Sequence, residues 1–452
     1  MNDEELPGMA WLHSRIMLGM KAGLETIREL CARLGDPQRG MAAVHVVGSN
    51  GKGSTASMAA LMLSRAGFRA GLFTSPHLVS VRERFRVDGE PIPADELERT
   101  LLRVRDASES APALPTTFFE AVTAAALLWF RERGVDVAVL EAGLGGRLDS
   151  TNVVDAPLSA LTGISLEHVD ILGSTEEAIL GEKLGVMRRG GLCLHALPPR
   201  LLPAAARLAE QGGYRLSGVR DREWSAGEDG GLRCAFSGRT FPLGTFPGSP
   251  EAMQRNRVLA AMLFEAFCAS RPDDPRARAM ASDPALLART AAEALREHVW
   301  PARLQAVRPP RSPEILVDGA HNPESASCLA AALELRHPGR KLTVVMGVVR
   351  DKNLEGMLDL LLPHAARFLF VRTPYPRFRD PEELRDALAG RAECELFGRD
   401  VRAALDRARA LGDPAVVCGS LYLTGAAIAA LAPECDELAW FRQFVPDANE
   451  TR

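Results

Sequence analysis

The sequence predicts an α/β protein with two domains, each built on a largely parallel β-sheet. Short segments of β-type apolar residues alternate with segments of helical periodicity along almost the whole chain. An early apolar segment leads into a glycine-rich turn and then into a helix, which is the order of a phosphate-binding unit. The chain of 452 residues favours two or three domains, because one domain usually holds roughly 100–200 residues.

The first domain is predicted to cover residues 1–296 and to be a doubly wound P-loop ATPase domain. Residues 213–244 are rich in glycine and alternate in polarity, which predicts an accessory antiparallel sheet. The remaining elements follow from apolar periodicity. Strands are expected at 43–47, 70–73, 135–140 and 158–163, and helices from the glycine-rich turn to about 65 and at 118–131, 175–187, 251–269 and 284–298.

The second domain, residues 297–452, is predicted to be smaller and Rossmann-like. Trp300 and Pro301 interrupt the helical pattern and mark the boundary, because proline lacks the N–H that a helix interior needs. Beyond them the alternation of strands and helices restarts. Strands are expected at 314–317, 341–346, 367–371 and 415–418, and helices at 324–335, 353–361, 381–388 and 421–431.

Composition excludes several classes of protein. The chain has 54 Lys and Arg against 58 Asp and Glu, so it lacks the basic surplus of a general nucleic-acid binder. The eight cysteines are scattered without CxxC pairs, which is typical of reduced thiols in a reducing compartment. We find neither a secretion signal nor an apolar run long enough to span a membrane. A cytoplasmic protein is therefore expected.

The clearest chemical signal is the segment from Gly48 to Thr55, GSNGKGST, between a predicted strand and helix. Its glycines let the backbone wrap around phosphate oxygens, Lys52 neutralises their charge, and the next hydroxyl can bind Mg²⁺. Gly53 separates Lys52 from Ser54, so the segment departs from the pattern GxxxxGK[ST]. A plain strand-to-helix turn would gain little from a lysine between glycines, and nucleotide binding is the prediction.

Two further residues at strand ends are candidate metal ligands. Glu141 follows one apolar strand, and His168 and Asp170 lie just beyond another. Ligands bind beyond the carboxyl ends of parallel strands, where the glycine-rich turn also lies. Each residue alone has an ordinary alternative, a helix cap for the carboxylate and a satisfied polar residue for the histidine. Together with the turn they predict a metal and phosphate site.

Other polar residues stay ambiguous on sequence grounds. Lys183 lies on a predicted helix and is compatible with a solvated side chain. Asn322 and Pro323 suit the N-cap and first position of a helix, which leaves Asp318 and His321 without an explanation. Arg303, just past the boundary, is compatible with a phosphate contact and with an ordinary surface arginine.

Several segments resemble those of folylpolyglutamate synthase/dihydrofolate synthase, a family of the Mur ligase superfamily. The matching motifs occur in consistent order from about residue 16 to residue 425: VHVVGSNGKGST, FTSPHLVSVRERFRVDGEPI, EAGLGGRLDSTNVV, ISLEHVDILGSTEEAILGEKLGVM, WPARLQ, VDGAHNP and GSLYLTG. The resemblance implies an ATP-dependent ligase that adds L-glutamate to dihydropteroate, to a reduced folate or to both, through an acyl phosphate. It also implies Mg²⁺ and ATP, and we expect a monomer.

The resemblance assigns roles to matching positions. The catalytic residues are Lys52, Lys183 and His321, and Lys183 matches the N-carboxylated lysine of the family. The ATP contacts are Asn50, Gly51, Lys52, Gly53, Asn256, Arg303 and Asp318. The metal ligands are Ser54, Ser75, Glu141 and His168. The residues near the pterin-bearing substrate are Met20, Lys21, Ala22, Thr117, Phe118, Phe119, Glu120, Leu148, Asp149 and Ser150.

The chain departs from the family pattern beside some of these positions. Ala252 and Met253 stand where His-Gln usually precedes Asn256, and Ala302 replaces a common glycine. Asn353 ends a segment that usually reads Asp-Lys-Asp. Two alternatives stay open: a Mur-type ligase acting on a cell-wall peptide, and a P-loop protein that uses ATP as a conformational switch. The switch would leave Glu141, His168 and Lys183 without a shared purpose.

Overall fold

A computed structural model of the chain describes residues 6–19 and 23–445, which divide into two compact units. Unit 1 comprises the described residues up to Ser75, Val81–Thr245 and Met253–His298, and unit 2 comprises Pro76–Ser80, Phe246–Ala252 and the described residues from Val299. The last stretch of unit 1 thus ends beside the predicted boundary. Two short earlier segments group with unit 2, which the sequence analysis did not anticipate.

Unit 1 is built on a mostly parallel sheet of eight strands within the described residues. Its order is β4-β3-β2-β5-β1-β6-β7-β8. The antiparallel pairs are β2 with β3 and β3 with β4, at one edge of the sheet. The strands are β1 Ala42–Val47, β2 Ala70–Phe73, β3 Phe85–Val87, β4 Glu90–Pro91, β5 Val137–Glu141, β6 Leu158–Leu161, β7 Leu192–His195 and β8 Arg215–Gly218.

Unit 1 also contains eleven α-helices among its described residues, and some of them pack directly against this sheet. The helices are α1 Pro7–Ser14, α2 Glu25–Arg33, α3 Lys52–Arg65, α4 Ala94–Glu109, α5 Phe118–Glu132, α6 Val169–Leu172, α7 Glu176–Leu184, α8 Leu202–Gly212, α9 Glu251–Ala269, α10 Pro275–Ser282 and α11 Pro284–Glu297. Helix α5 is buried along most of its length. A Cβ at Gly71 of β2 would lie 3.0 Å from the ring of Phe130 on α5. A glycine there lets the helix approach the sheet closely.

The predicted accessory sheet is confirmed in part. A separate three-stranded antiparallel sheet has the order β11-β10-β9 and contains β9 Trp224–Ala226, β10 Gly231–Phe236 and β11 Arg239–Thr245. The start of the predicted segment is wrong, because Arg215–Gly218 is β8 and pairs in parallel with β7. Helix α8 provides the crossover between these two strands, as a parallel pair requires. Gly213 ends α8 in a left-handed conformation, so part of the glycine signal came from a helix end.

Unit 2 contains a sheet of six strands with the order β12-β13-β17-β14-β15-β16 in the part of the chain that is described. All its pairs are parallel except β12 with β13. The strands are β12 Gln305–Val307, β13 Ile315–Val317, β14 Leu342–Met346, β15 Ala365–Phe370, β16 Glu393–Leu396 and β17 Ala415–Cys418. The helices are α12 Pro323–Arg336, α13 Leu354–Leu361, α14 Pro381–Leu388, α15 Val401–Leu411 and α16 Leu421–Leu431.

These two units confirm the predicted fold class of α/β domains with largely parallel sheets. Strands β12 and β16 and helix α15 of unit 2 were not predicted from the sequence. Strand β16 reads ECEL and is partly exposed, so it lacks a run of buried apolar residues. Helix α15 contains three arginines and buries only Ala404, Leu405 and Ala408. The edge strand therefore gives a weak signal, whereas the buried residues of α15 do recur at helical spacing and that pattern was overlooked.

The eight cysteines are free thiols, as expected, and six of them are buried. Burial raises the pKa of Cys31 and Cys193 to about 12, so these thiols pack as small apolar groups. No helix in the described ranges is both long and apolar enough to cross a membrane.

Candidate functional site

Four neighbouring strands of unit 1 bring the candidate residues to one edge of the sheet. In the order β2, β5, β1 and β6, these strands run parallel. Ser75 lies just beyond β2, Glu141 is the last residue of β5, the loop after β1 leads into α3, and Thr162 follows β6. The carboxyl ends of parallel strands meet at one edge. The predicted convergence of Glu141 with the glycine-rich loop therefore has a physical basis in this topology.

Two positions of the loop require glycine. Gly48 has a φ of 143°, and a Cβ there would lie 2.0 Å from the Thr162 hydroxyl oxygen. Gly51 caps α3 with a φ of 85°, and a Cβ there would lie 2.5 Å from the amide nitrogen of Asn256. Asn256 therefore lies directly beside the loop, although it is about 200 residues away in sequence. Asn50, Lys52 and Gly53 occupy the rest of the loop and the first turn of α3.

The Lys52 side chain folds back onto the loop. Its Nζ donates to the carbonyl oxygens of Gly48, at 2.9 Å, and of Ser49, at 3.0 Å. The Thr162 hydroxyl donates to the carbonyl oxygen of Asn50 at 2.6 Å. The loop carbonyls are thus held by side chains, which fixes the loop in an open curve. Such a curve, followed by the N-terminus of a 14-residue helix, suits a phosphate group.

Lys183 is buried beside the same loop, so the solvated alternative is wrong. Its residue is 1% exposed, and its Nζ donates to the carbonyl oxygen of Gly48 at 2.8 Å and to Glu167 Oε1 at 3.1 Å. Burial and the neighbouring charge of Lys52 lower the pKa of Lys183 to about 8, although Glu167 opposes them. A lysine with this pKa is partly neutral near physiological pH. The neutral amine is the nucleophilic form.

Glu167 is a residue that the sequence analysis missed. Burial raises its pKa, but the charges of Lys52 and Lys183 outweigh burial and lower it to about 2. The carboxylate is therefore an anion shared by two lysines. It precedes His168, which was selected, so proximity to that histidine was the available signal. His168 itself is exposed and has a left-handed φ of 49° at the start of α6, and Asp170 is exposed.

The four candidate metal ligands are three residues with oxygen donors, Ser54, Ser75 and Glu141, and one histidine, His168. Glu141 is 5% exposed, and the backbone N–H of Ser75 donates to its Oε2 at 3.0 Å, which orients the carboxylate. Ser54 lies in the first turn of α3. Hydroxyl and carboxylate oxygens fit a hard divalent cation such as Mg²⁺, which keeps waters and phosphate oxygens in its shell. Among the described residues no cluster of three or more His, Cys, Asp and Glu could hold a metal ion.

The substrate candidates at the start of α5 include two residues with a clear structural task. Thr117 and Glu120 form a capping box, in which the Thr117 N–H donates to Glu120 Oε2 at 2.9 Å and the Glu120 N–H donates to the Thr117 hydroxyl at 3.3 Å. Phe118 and Phe119 lie between them and are half-buried. The Arg84 guanidinium lies 5.3 Å from the ring centre of Phe118.

The other substrate candidates lie in the loop after β5 and near the N-terminus. Leu148 is 37% exposed, whereas Asp149 and Ser150 are buried. Burial raises the pKa of Asp149, and hydrogen bonds from Thr151 and from backbone N–H groups oppose this rise. Met20, Lys21 and Ala22 lie outside the residues that the structure describes.

In unit 2 the segment after β13 confirms the predicted helix cap and gives a structural role to Asp318, which the sequence left open. Asn322 caps α12, as predicted, and its Oδ1 accepts the Ser325 N–H at 2.8 Å. Asp318 accepts the N–H groups of Leu304, at 2.8 Å, and Ala320, at 2.9 Å.

These bonds secure a strained turn next to Arg303. Ala302 and Leu304 have positive φ values of 54° and 46°, which cost conformational energy in residues other than glycine. A Cβ at Gly319 would lie 2.7 Å from Arg303 Nη1, so the guanidinium lies against Gly319. His321 Nδ1 lies 2.8 Å from the carbonyl oxygen of Gly319. The three candidates Arg303, Asp318 and His321 therefore surround one glycine.

Comparison with known proteins gives consistent matches. The family model for the Mur ligase, glutamate ligase domain matches residues 302–421. A dihydrofolate synthase/folylpolyglutamate synthase of Bacillus subtilis is 32% identical, and the match covers 91% of this chain and 96% of the relative. A probable bifunctional folylpolyglutamate synthase/dihydropteroate synthase of Haloferax volcanii is 35% identical, and the match covers 96% of this chain. The chain spans about half of that relative's length, 50%.

Solved structures are similar over nearly the whole chain. Escherichia coli FolC in complex with DHPP and ADP has a TM-score of 0.82 at 28% identity, covering 96% of this chain and 99% of that one. A bifunctional folylpolyglutamate synthase/dihydrofolate synthase with Mn, AMPPNP and L-glutamate bound has a TM-score of 0.79 at 29% identity, covering 95% and 99%. Structures similar to this chain thus bind a nucleotide and a divalent metal.

The geometry of Gly51 leads to a test of the loop. We expect Gly51→Ala to weaken ATP binding by about tenfold or more, because the added Cβ displaces Asn256 and strains the loop. Gly190→Ala is the matched control, since Gly190 has a similar φ of 78° but nothing within 4 Å of its Cβ position. Calorimetric titration with MgATP, alongside thermal melting, separates the two. Equal ATP affinities in both variants would contradict the assigned role of the loop.

Proposed function

Because the chain belongs to the folylpolyglutamate synthase/dihydrofolate synthase family of the Mur ligase superfamily, we propose that it adds L-glutamate to dihydropteroate, to a reduced folate, or to both. The chain is an ATP-dependent carboxylate–amine ligase. The observation that carries the proposal is the arrangement of Lys52, Lys183 and Glu141 around a glycine-rich loop at one sheet edge.

The chemistry requires an activated acid. A carboxylate is a poor acyl donor, since its leaving group would be oxide. A carboxylate oxygen of the acid attacks the γ-phosphorus of ATP, ADP leaves, and an acyl phosphate forms. The amine of L-glutamate then attacks the acyl carbon, the amide bond forms, phosphate leaves and the amine loses a proton. Lys52 stabilises the charge that develops on the transferred phosphate.

We propose that the nucleotide is bound by the residues that the loop geometry favours. Gly51 and Gly53 offer backbone N–H groups at the start of α3 to phosphate oxygens, and Lys52 leaves the loop carbonyls to pair with these oxygens. Asn50 and Asn256 supply amide groups beside the loop. Arg303 and Asp318 are proposed ATP contacts on the strength of the resemblance, and Asp318 holds the turn next to Arg303 through the Leu304 N–H. His321 is proposed to act at the reacting groups.

Mg²⁺ is the proposed metal, held by Ser54, Ser75, Glu141 and His168. When bound, it would supply Lewis-acid stabilisation of phosphate charge. The protein's own part is to aim the Glu141 carboxylate through the Ser75 N–H and to keep the Ser54 hydroxyl at the start of α3.

The pterin-bearing acid is proposed to bind near the start of α5 and the loop after β5. Phe118 and Phe119 offer half-buried rings and Leu148 offers an exposed apolar side chain. Thr117 and Glu120 shape this site through the capping box, with Asp149 and Ser150 in the adjacent loop. Met20, Lys21 and Ala22 are assigned here by the resemblance alone. We further propose a monomer that works in the cytoplasm, in keeping with its free thiols.

One experiment tests this function directly. Pure protein is incubated with MgATP and L-glutamate, and with either dihydropteroate or tetrahydrofolate, and products are identified by mass spectrometry. We expect glutamate to be added to at least one acid, with one ADP released for each amide formed. ADP release that needs neither acid would instead support an ATP-driven switch, and product only from a cell-wall peptide would support another Mur-type ligase.

Lys183 is proposed to be N-carboxylated in the active enzyme. The neutral amine adds CO₂ and loses one proton, and the product is an anion in place of a cation. Because the pKa of Lys183 is lowered to about 8, the reactive neutral fraction rises as pH increases through this value. An anion at this place would support a metal ion bound beside the loop.

The carboxylation has a specific test. Lys183→Ala should lose most activity and regain part of it when short carboxylic acids replace the missing anion. Lys341→Ala, which removes an exposed lysine of unit 2, should keep full activity with and without such acids. Steady-state ADP release measures both. Full activity of Lys183→Ala would contradict a catalytic role, and loss without rescue would contradict the carbamate.

A further inference from the structure

A fully buried histidine lies in the central strand of unit 1, and the proposed chemistry does not use it. His45 of β1 is 0% exposed, and its register neighbours are Leu140 of β5 and Ser159 of β6. Burial, with the nearby charge of Arg188, lowers the pKa of His45 to about 3. The ring is therefore neutral across the physiological range. A polar ring in such a place costs free energy unless it is hydrogen-bonded.

The ring starts a chain of side-chain hydrogen bonds. His45 Nε2 lies 2.7 Å from the Thr151 hydroxyl oxygen, and this hydroxyl donates to Asp149 Oδ1 at 2.5 Å. A threonine hydroxyl has a single hydrogen. With that hydrogen directed to Asp149, we assign the ring hydrogen to Nε2, which donates it to Thr151. Nδ1 is then the unprotonated nitrogen, and it has no hydrogen-bond partner among the described residues.

The chain ends on the carboxylate that shapes the loop after β5. Besides the Thr151 hydroxyl, Asp149 accepts the Thr151 N–H at 3.0 Å and the Leu144 N–H at 2.8 Å. One carboxylate therefore ties residues on both sides of the exposed Leu148. Because both oxygens of the Asp149 carboxylate accept hydrogen bonds, the orientation of this carboxylate depends on the groups that donate them.

We propose that His45 and Thr151 are positioning residues for the pterin-bearing acid. They fix the Asp149 carboxylate, and this fixes the loop that carries Leu148 and Ser150. The inference rests on the proposed function, because it assigns that loop to the acid and not to ATP. Breaking the hydrogen bonds between His45, Thr151 and Asp149 should therefore weaken binding of the acid and leave ATP binding unchanged. A merely structural role would change the binding of both substrates or of neither.

The test compares Thr151→Val, which removes the hydroxyl at nearly constant volume, with Thr151→Ser, which keeps it. We expect Thr151→Val to raise KM for the accepted acid by roughly tenfold, because a buried donor and acceptor lose their partner. Its KM for ATP should stay within about twofold of the wild type, a shift too small to reflect a lost hydrogen bond. Thr151→Ser should restore both values.

Ser159→Ala is the matched control. Ser159 is 1% exposed beside His45, and its hydroxyl oxygen has no partner within the described residues. Its removal should leave both KM values unchanged. Should Thr151→Val fail to fold, His45→Leu against His45→Gln provides the same comparison, because only glutamine keeps an N–H donor.

Three results would overturn the inference. They are unchanged kinetics in Thr151→Val, an equal rise in KM for ATP, and an equal effect of Ser159→Ala. A wild-type protein that glutamylates neither acid is a different failure, since it removes the proposed function itself. Amide hydrogen exchange of residues 144–151 gives a readout without substrate. We expect faster exchange in Thr151→Val, and no change would count against the inference.

Discussion

Before Lys183 is carboxylated, the carbonyl oxygen of Gly48 accepts hydrogen bonds from the side-chain amino groups of two lysines, and the rest of the site depends on this contact. Lys52 reaches it from α3 at 2.9 Å and Lys183 reaches it from α7 at 2.8 Å. Two cations so close repel each other, and the Glu167 carboxylate offsets this repulsion. The loop, α3 and α7 are thereby joined through one backbone group. A phosphate that attracts Lys52 changes the balance of charge around Lys183.

This charge balance connects the fold with the chemistry. Glycines at positions 48 and 51 allow the loop to curve, because side chains there would strike Thr162 and Asn256. The parallel order of β2, β5, β1 and β6 places Ser75, Glu141 and the loop at adjacent strand ends. The sheet thus provides the fixed frame, and the lysines and Glu167 provide charge that can be redistributed when a nucleotide binds.

The sequence predicted the parts of the structure that depend on local patterns. Buried strands such as β1 and β5 are mostly apolar, and the glycine-rich turn has a distinct composition, so both were identified. Lys183 was ambiguous, because its burial depends on α7 packing against a loop more than 100 residues away. Glu167 was missed for the same reason. Strand β8 was misassigned because its short, partly exposed sequence resembles a hairpin until β7 is known to pair with it.

The central claim is that Lys52 stabilises phosphate transfer and that the overall fold of unit 1 does not depend on its side chain. The most direct measurement is ADP release by Lys52→Ala in the presence of L-glutamate and the accepted acid, with circular dichroism and thermal melting on the same sample. Lys341→Ala removes an exposed lysine as the control. The account predicts that turnover by Lys52→Ala falls below detection, that its spectrum stays native and that Lys341→Ala behaves as the wild type. Wild-type turnover by a folded Lys52→Ala protein would contradict it.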